Sequence, residues 1–147
     1  VGPDMSVFIN ENLANRMTKK QIEDQTEKAK IIVRNRLQSL RPGKPPLNVV
    51  DKNIIIVDDG IAAGSTMKTS LMWANNLSSG KPASVIIAVP TAPERNAKML
   101  EREEGLDGIV VANMRGGYSF AVADAYEDWY DIDPAELYNL LKIEQDS

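Results

Sequence analysis

The stretch Ile54-Ile55-Ile56-Val57-Asp58-Asp59-Gly60-Ile61-Ala62-Ala63-Gly64-Ser65-Thr66-Met67 decides how this chain is read. Four β-branched residues in a row predict a short strand. Two carboxylates close it, and a run of small and hydroxyl-bearing residues leads into a helix start. Open parallel sheets bind ligands at such junctions, because helix N-termini present unpaired N–H groups and a partial positive charge. Ala62, Ala63 and Gly64 let the backbone come close to an anion, and Ser65 and Thr66 add hydroxyl donors, so together they are expected to grip one phosphate. Asp58 and Asp59 cannot hold that phosphate. They can accept hydrogen bonds from sugar hydroxyls or bind Mg²⁺. The pairing predicts a ribose phosphate as ligand.

Outward from this stretch, short apolar runs alternate with amphipathic segments. Ile54 to Val57, Val85 to Val89 and Ile109 to Ala112 are expected as strands buried on both faces. Between the first two, Met67, Leu71, Ala74 and Leu77 share one helical face that ends before Ser78-Ser79-Gly80. Thr91-Ala92-Pro93-Glu94 matches a capping box, which predicts a helix from there to Gly105. Two successive βαβ units imply an α/β fold with a parallel sheet, right-handed crossovers and flanking helices. Ahead of them, Thr18 to Gln21 reads as a capping box opening a long helix that carries Ile22, Ala29, Val33, Leu37 and Leu40. Arg41-Pro42-Gly43-Lys44-Pro45-Pro46 stops it. Val7-Phe8-Ile9 reads as a small strand or half of a hairpin, and a last helix is expected from Asp133-Pro134-Ala135-Glu136 through Leu137, Leu140 and Leu141. No repeat or linker divides the chain, so residues 1–147 are expected to form one domain.

Composition narrows the chemistry. The chain has 147 residues, no cysteine and no histidine, which removes Ser-His-Asp and Cys-His catalysis and imidazole-ligated zinc. Any metal must rest on oxygen ligands, as Mg²⁺ does. A net charge of -4 and a pI near 4.9 argue against a nucleic-acid surface. No apolar run approaches the roughly 20 residues of a membrane span. A cytoplasmic protein without membrane or nucleic-acid partners is the expectation. Two other families with related strand ends do not fit. Neither Val85 to Val89 nor Ile109 to Ala112 ends in the Asp of a receiver domain, and Gly60 to Met67 lacks the Gly-Lys-Ser/Thr ending of a P-loop.

The loop from Asp58 to Thr66 closely resembles the phosphoribosyl pyrophosphate signature of the type I phosphoribosyltransferases. The resemblance extends to Arg41-Pro42-Gly43-Lys44-Pro45-Pro46-Leu47, to Val89-Pro90-Thr91-Ala92-Pro93, and to Phe120-Ala121-Val122-Ala123 with Tyr126-Glu127-Asp128-Trp129. These look like a bacterial and archaeal subgroup of that family. The resemblance implies a Rossmann-like core and a Mg²⁺-dependent pentosyltransferase of nucleotide metabolism that moves the phosphoribosyl group to a nitrogen base. It also implies roles. Asp58 and Asp59 would hold the ribose hydroxyls, carry catalysis and share the Mg²⁺. Gly60, Ile61, Ala62, Ala63, Gly64, Ser65 and Thr66 would complete the substrate loop around the 5′-phosphate. Position 63 departs from the family, being Ala where Thr is frequent, which removes one hydroxyl and keeps the backbone donors.

The family's fold begins with a strand, a helix and a pyrophosphate-binding loop, and Val1 to Asn12 resembles the returning half of its hood. The resemblance therefore implies an N-terminally incomplete domain whose exposed sheet edge favours pairing, so a homo-oligomer is expected. Two other readings stay open. One is a non-catalytic phosphoribosyl pyrophosphate-binding regulatory or assembly protein, and the other is a structural role in which the helix from Thr18 to Leu40 is a partner surface. The acceptor is not legible in the sequence; the resemblance implies that the base lies against the segment holding Tyr118, Phe120, Tyr126, Trp129 and Tyr130, for which core or interface packing is the favoured reading. Arg115-Gly116-Gly117 reads as a turn in preference to a ligand loop.

Overall fold

The computed structural model describes residues 1–77, 80–117 and 120–143. Its centre is a three-stranded parallel sheet of β1 (Asn53–Val57), β2 (Ser84–Pro93) and β3 (Gly108–Arg115), in that spatial order. Ahead of the sheet come α1 (Glu11–Ala14) and α2 (Lys19–Leu40). Between its strands lie α3 (Ser65–Asn75) and α4 (Glu94–Leu100), and after it a 3₁₀ turn (Val122–Ala125) and α5 (Pro134–Ile143). The expected α/β class with a parallel sheet and flanking helices is present, and the core is Rossmann-like.

Every second residue of each strand points to the helices. Ile54 and Ile56 of β1, Val85, Ile87 and Val89 of β2, and Ile109 and Val111 of β3 form one apolar layer. Met67, Leu71 and Ala74 of α3 and Ala97 and Leu100 of α4 close over it. β2 is the middle strand, and Val85, Ile87 and Val89 are buried there. Burial of that many branched side chains supplies the main stabilising term.

The opposite face departs from the expectation of strands buried on both faces. Ile55, Val57 and Val110 are 63%, 72% and 60% exposed. Runs of β-branched residues are the pattern of doubly covered parallel strands. Among the described residues no helix packs on this side. The chain's accessible surface of 10676 Å² correspondingly exceeds the roughly 7,500 Å² of a compact monomer of its mass. The long helix α2 contributes to this excess, since none of its described residues is buried.

The capping box at Thr18 is formed as read. Gln21 N–H donates to the Thr18 hydroxyl at 3.3 Å, and Thr18 N–H donates back to Gln21 Oε1 at 2.8 Å. At the last helix, Asp133 Oδ1 accepts from Ala135 N–H at 2.6 Å. The second expected capping box is not formed, because Thr91 belongs to β2 and its buried hydroxyl donates to the carbonyl of Asn113 on β3 at 3.3 Å. Its α4 helix starts three residues later and ends at Leu100 rather than Gly105. The strand continues through Thr91 because β3 offers it a partner up to the pair Pro93↔Arg115.

Val7-Phe8-Ile9 is not a strand. Among the described residues it pairs with no strand, and Phe8 instead lies against Lys68 of α3, whose Nζ is 5.9 Å from the ring centre.

The two faces of the sheet should respond differently to substitution. Ile87→Ala should lower unfolding free energy by about 2–5 kcal/mol, whereas Val57→Thr should cost under about 1 kcal/mol. Urea denaturation of the two variants checks this, and equal losses would mean that the second face is covered.

Candidate functional site

The pairing of β1 with β2 ends at Val57↔Ala88, while β2 and β3 continue together to Pro93↔Arg115. The chain leaving β1 therefore runs beside a wall formed by the overhanging half of β2. Ile61 is buried against that wall, and its N–H donates to the Thr91 carbonyl at 3.0 Å. Gly60 is wedged at the same place. A Cβ there would lie 2.8 Å from Val122 Cγ1 and 3.0 Å from Thr91 Cγ2, so only glycine fits without displacement.

Gly64 then turns the chain into α3 with φ +77° and ψ 1°. That left-handed conformation costs an L side chain free energy and glycine little. No side chain caps the helix start. Among the described residues, the amides of Ala62, Ala63 and Gly64 donate no hydrogen bond. With the unpaired first-turn N–H groups of α3, they form a set of donors with no acceptor of their own.

These elements enclose a cavity of about 310 Å³ lined by residues 58 to 67 and Val122. The structure thus brings together all nine expected site residues: Asp58, Asp59, Gly60, Ile61, Ala62, Ala63, Gly64, Ser65 and Thr66. Asp58 and Asp59 stand at one end of the loop and the donor-rich turn at the other, so a ligand with hydroxyls at one end and an anion at the other is complementary to both. None of the lining residues is Lys or Arg.

Asp58 is exposed at the surface, yet partial desolvation of its carboxyl raises it from its ordinary value, and the neighbouring charge of Asp59 adds to this. The hydrogen bond from Asp59 N–H to Asp58 Oδ1 at 3.2 Å opposes it. Among the described residues no three His, Cys, Asp or Glu side chains converge as metal ligands. The two carboxylates are nevertheless hard oxygen donors. That set fits a Mg²⁺ that completes its shell with water and phosphate oxygens.

Three contacts at the loop are not legible in the sequence. Tyr126 donates its hydroxyl proton to the carbonyl of Asp59 at 2.6 Å, Asn96 Nδ2 donates to the carbonyl of Ala62, and Val122 lines the cavity. Their partners lie tens of positions away, so although Val122 and Tyr126 stand in the quoted motifs, no local pattern shows what they meet. Of the acceptor candidates, Tyr126 and Trp129 form a tilted ring pair with centres 5.2 Å apart, and Tyr130 donates its hydroxyl proton to Glu136 Oε1 at 3.0 Å. Phe120 is half-buried, and Tyr118 lies outside the described residues. Arg115 donates to the carbonyl of Asp124 at 3.1 Å, which ties the end of β3 to the 3₁₀ turn.

No protein-family model matches the chain. Its structure is similar to the crystal structure of TT1426 from Thermus thermophilus, with a TM-score of 0.68 and 20% sequence identity over 96% of the chain. The chain spans 64% of that protein's length. At this identity the likeness establishes a shared fold.

Because Asp58 titrates above its unfolded value, the native state binds more protons than the unfolded one between the two values. Stability therefore falls as pH rises through that window. Asp58→Asn removes this penalty, so its melting midpoint should exceed that of the parent chain at pH 7. The gain should shrink toward about pH 3, where both states are protonated. Thermal melts at the two pH values measure it, and a variant less stable at pH 7 would contradict the origin assigned to the shift.

Proposed function

We propose that the chain binds phosphoribosyl pyrophosphate with Mg²⁺ and transfers its phosphoribosyl group to a nitrogen base, as a phosphoribosyltransferase. The observation that carries this reading is the order of groups around one cavity: paired carboxylates at the strand end, then unsatisfied amides and hydroxyls at the helix start. Ser65, Thr66 and the amides from Ala62 to Gly64 would take the 5′-phosphate. Asp58 and Asp59 would accept hydrogen bonds from the ribose hydroxyls and hold the cation. When bound, Mg²⁺ supplies charge neutralisation for the pyrophosphate.

In the reaction, the bond from ribose C1 to the pyrophosphate oxygen breaks and the electron pair leaves with oxygen. The nitrogen lone pair of the acceptor forms the new bond to C1, and the nitrogen's proton passes to the departing pyrophosphate, directly or through water. Positive charge grows on the ribose as the old bond lengthens. The adjacent carboxylates of Asp58 and Asp59 stabilise it without transferring a proton. The reading accords with the resemblance of residues 58 to 66 to the family's signature.

One observation favours a second reading, in which the protein binds phosphoribosyl pyrophosphate without turning it over. The lining of the cavity offers no Lys or Arg to a departing pyrophosphate. A regulatory or assembly subunit needs only the ribose-phosphate contacts.

Calorimetric titration with phosphoribosyl pyrophosphate and with ribose 5-phosphate, each with and without Mg²⁺, tests both readings. A transferase site should bind the pyrophosphate compound more tightly and in a Mg²⁺-dependent way. Equal affinity for the two ligands would favour the non-catalytic reading. Asp58→Asn with Asp59→Asn should weaken Mg²⁺-dependent binding by about a hundredfold or more, the scale of losing two charge-assisted contacts. Gly64→Val should abolish binding through backbone strain at a left-handed position and crowding against Leu100, which displace the turn. Unchanged affinity in either variant would remove the site assignment.

A further inference from the structure

The binding loop is held from outside at two carbonyls. The Asp59 carbonyl accepts the Tyr126 hydroxyl proton at 2.6 Å, and the Ala62 carbonyl accepts from the Asn96 side-chain amide. Tyr126 follows the 3₁₀ turn that Arg115 ties to β3, and Asn96 stands in the first turn of α4. Each contact bridges to a different element, so the two ends of the loop are fixed independently.

A peptide unit is planar, and its C=O and N–H point in opposite directions. Fixing the Ala62 carbonyl toward α4 therefore turns the Ala63 N–H to the other side of the chain. That N–H is one of the amides donating no hydrogen bond among the described residues. Fixing the Asp59 carbonyl likewise sets the peptide between Asp59 and Gly60, and with it the direction in which the Asp59 side chain leaves the backbone. Gly60, wedged between Val122 and Thr91, leaves this peptide little room to rotate otherwise.

We propose that Tyr126 and Asn96 are positioning residues with separate tasks: Tyr126 sets the carboxylate end of the loop for the ribose hydroxyls, and Asn96 sets the amide end for the 5′-phosphate. The proposal rests on the ribose-phosphate reading of the site. Neither side chain is assigned a contact with the ligand. Each acts through one backbone carbonyl.

The test compares ribose 5-phosphate with 2-deoxyribose 5-phosphate, which keeps the phosphate and loses one of the hydroxyls. Calorimetric titrations use the full chain, Tyr126→Phe and Asn96→Ser. The unaltered chain should prefer ribose 5-phosphate. Tyr126→Phe should weaken ribose 5-phosphate roughly three- to tenfold, the scale of one hydrogen bond, and leave the deoxy sugar within about twofold, so the preference collapses. Asn96→Ser should weaken both ligands by a similar roughly three- to tenfold and leave the preference intact.

The ratio of two dissociation constants does not depend on the fraction folded, so partial unfolding of a variant leaves this readout usable. Preference unchanged in Tyr126→Phe, or altered in Asn96→Ser, overturns the division of tasks. Affinities unchanged in both variants while the unaltered chain binds overturn the positioning role alone. No binding of either sugar by the unaltered chain overturns the site reading and this proposal with it.

Discussion

The hydrogen bond from Ile61 N–H to the Thr91 carbonyl is the contact on which the site depends. It exists because β2 runs five residues past its last pairing with β1, at Val57↔Ala88, before it ends at Pro93. That overhang gives the chain leaving β1 a backbone acceptor and a buried seat for Ile61. Without it the residues from Asp58 to Gly64 would be an ordinary exposed connection, and their amides would turn to water. Thr91 serves the same purpose twice. Its carbonyl holds the loop, and its hydroxyl joins β2 to β3. The central strand is thus both the middle of the core and the frame of the site.

The fold class was legible because three apolar runs, two intervening helical faces and one long capped helix each carry their own local signal. The faces of the strands were not. Ile54 to Val57 is uniformly β-branched, and a run without alternation cannot say whether one side or both are covered. Only the packing reveals that Ile54 and Ile56 face α3 while Ile55 and Val57 face outward. The false helix start at Thr91 has a related origin. Thr-x-x-Glu is a short pattern, and a strand whose neighbour continues beside it can retain the threonine in the ladder. Val7 to Ile9 fails in the other direction, since three apolar residues suit a strand only where another strand is available.

The candidate site is read along the chain, and the contacts that support it from elsewhere in the fold are not legible there. Nine consecutive residues, Asp58 to Thr66, carry their chemistry in their order, and the structure gathers them around one cavity. Val122 lines that cavity from another element, and Tyr126 and Asn96 hold the loop at two backbone carbonyls; Val122 and Tyr126 stand in the motifs of the resemblance, but no local pattern shows which part of the loop each of the three meets. Tyr126 stood out only as an aromatic suited to stacking on a base. Its described contact is through the hydroxyl, to the backbone of Asp59. The polar end of the side chain, rather than its ring, connects it to the site.

Two features of the loop lack a partner within the described residues, and a ligand of the proposed kind would supply one to each. Partial desolvation and the Asp59 carboxylate raise the titration point of Asp58, against the lowering effect of the hydrogen bond from Asp59 N–H. The amides of Ala62 to Gly64 donate to no acceptor among the described residues, and Ala62 and Ala63 are exposed. A purely structural strand-to-helix turn would tend to remove both features with a neutral strand end and a Ser or Asp cap in place of Gly64. The opposite signs of the two features matter as well. An anion alone would satisfy the amides and worsen the carboxylates; a cation alone would do the reverse. A molecule that brings an anionic group to the turn and hydroxyl donors or a bound cation to the carboxylates relieves both at once, and a sugar phosphate is the smallest common metabolite class built that way.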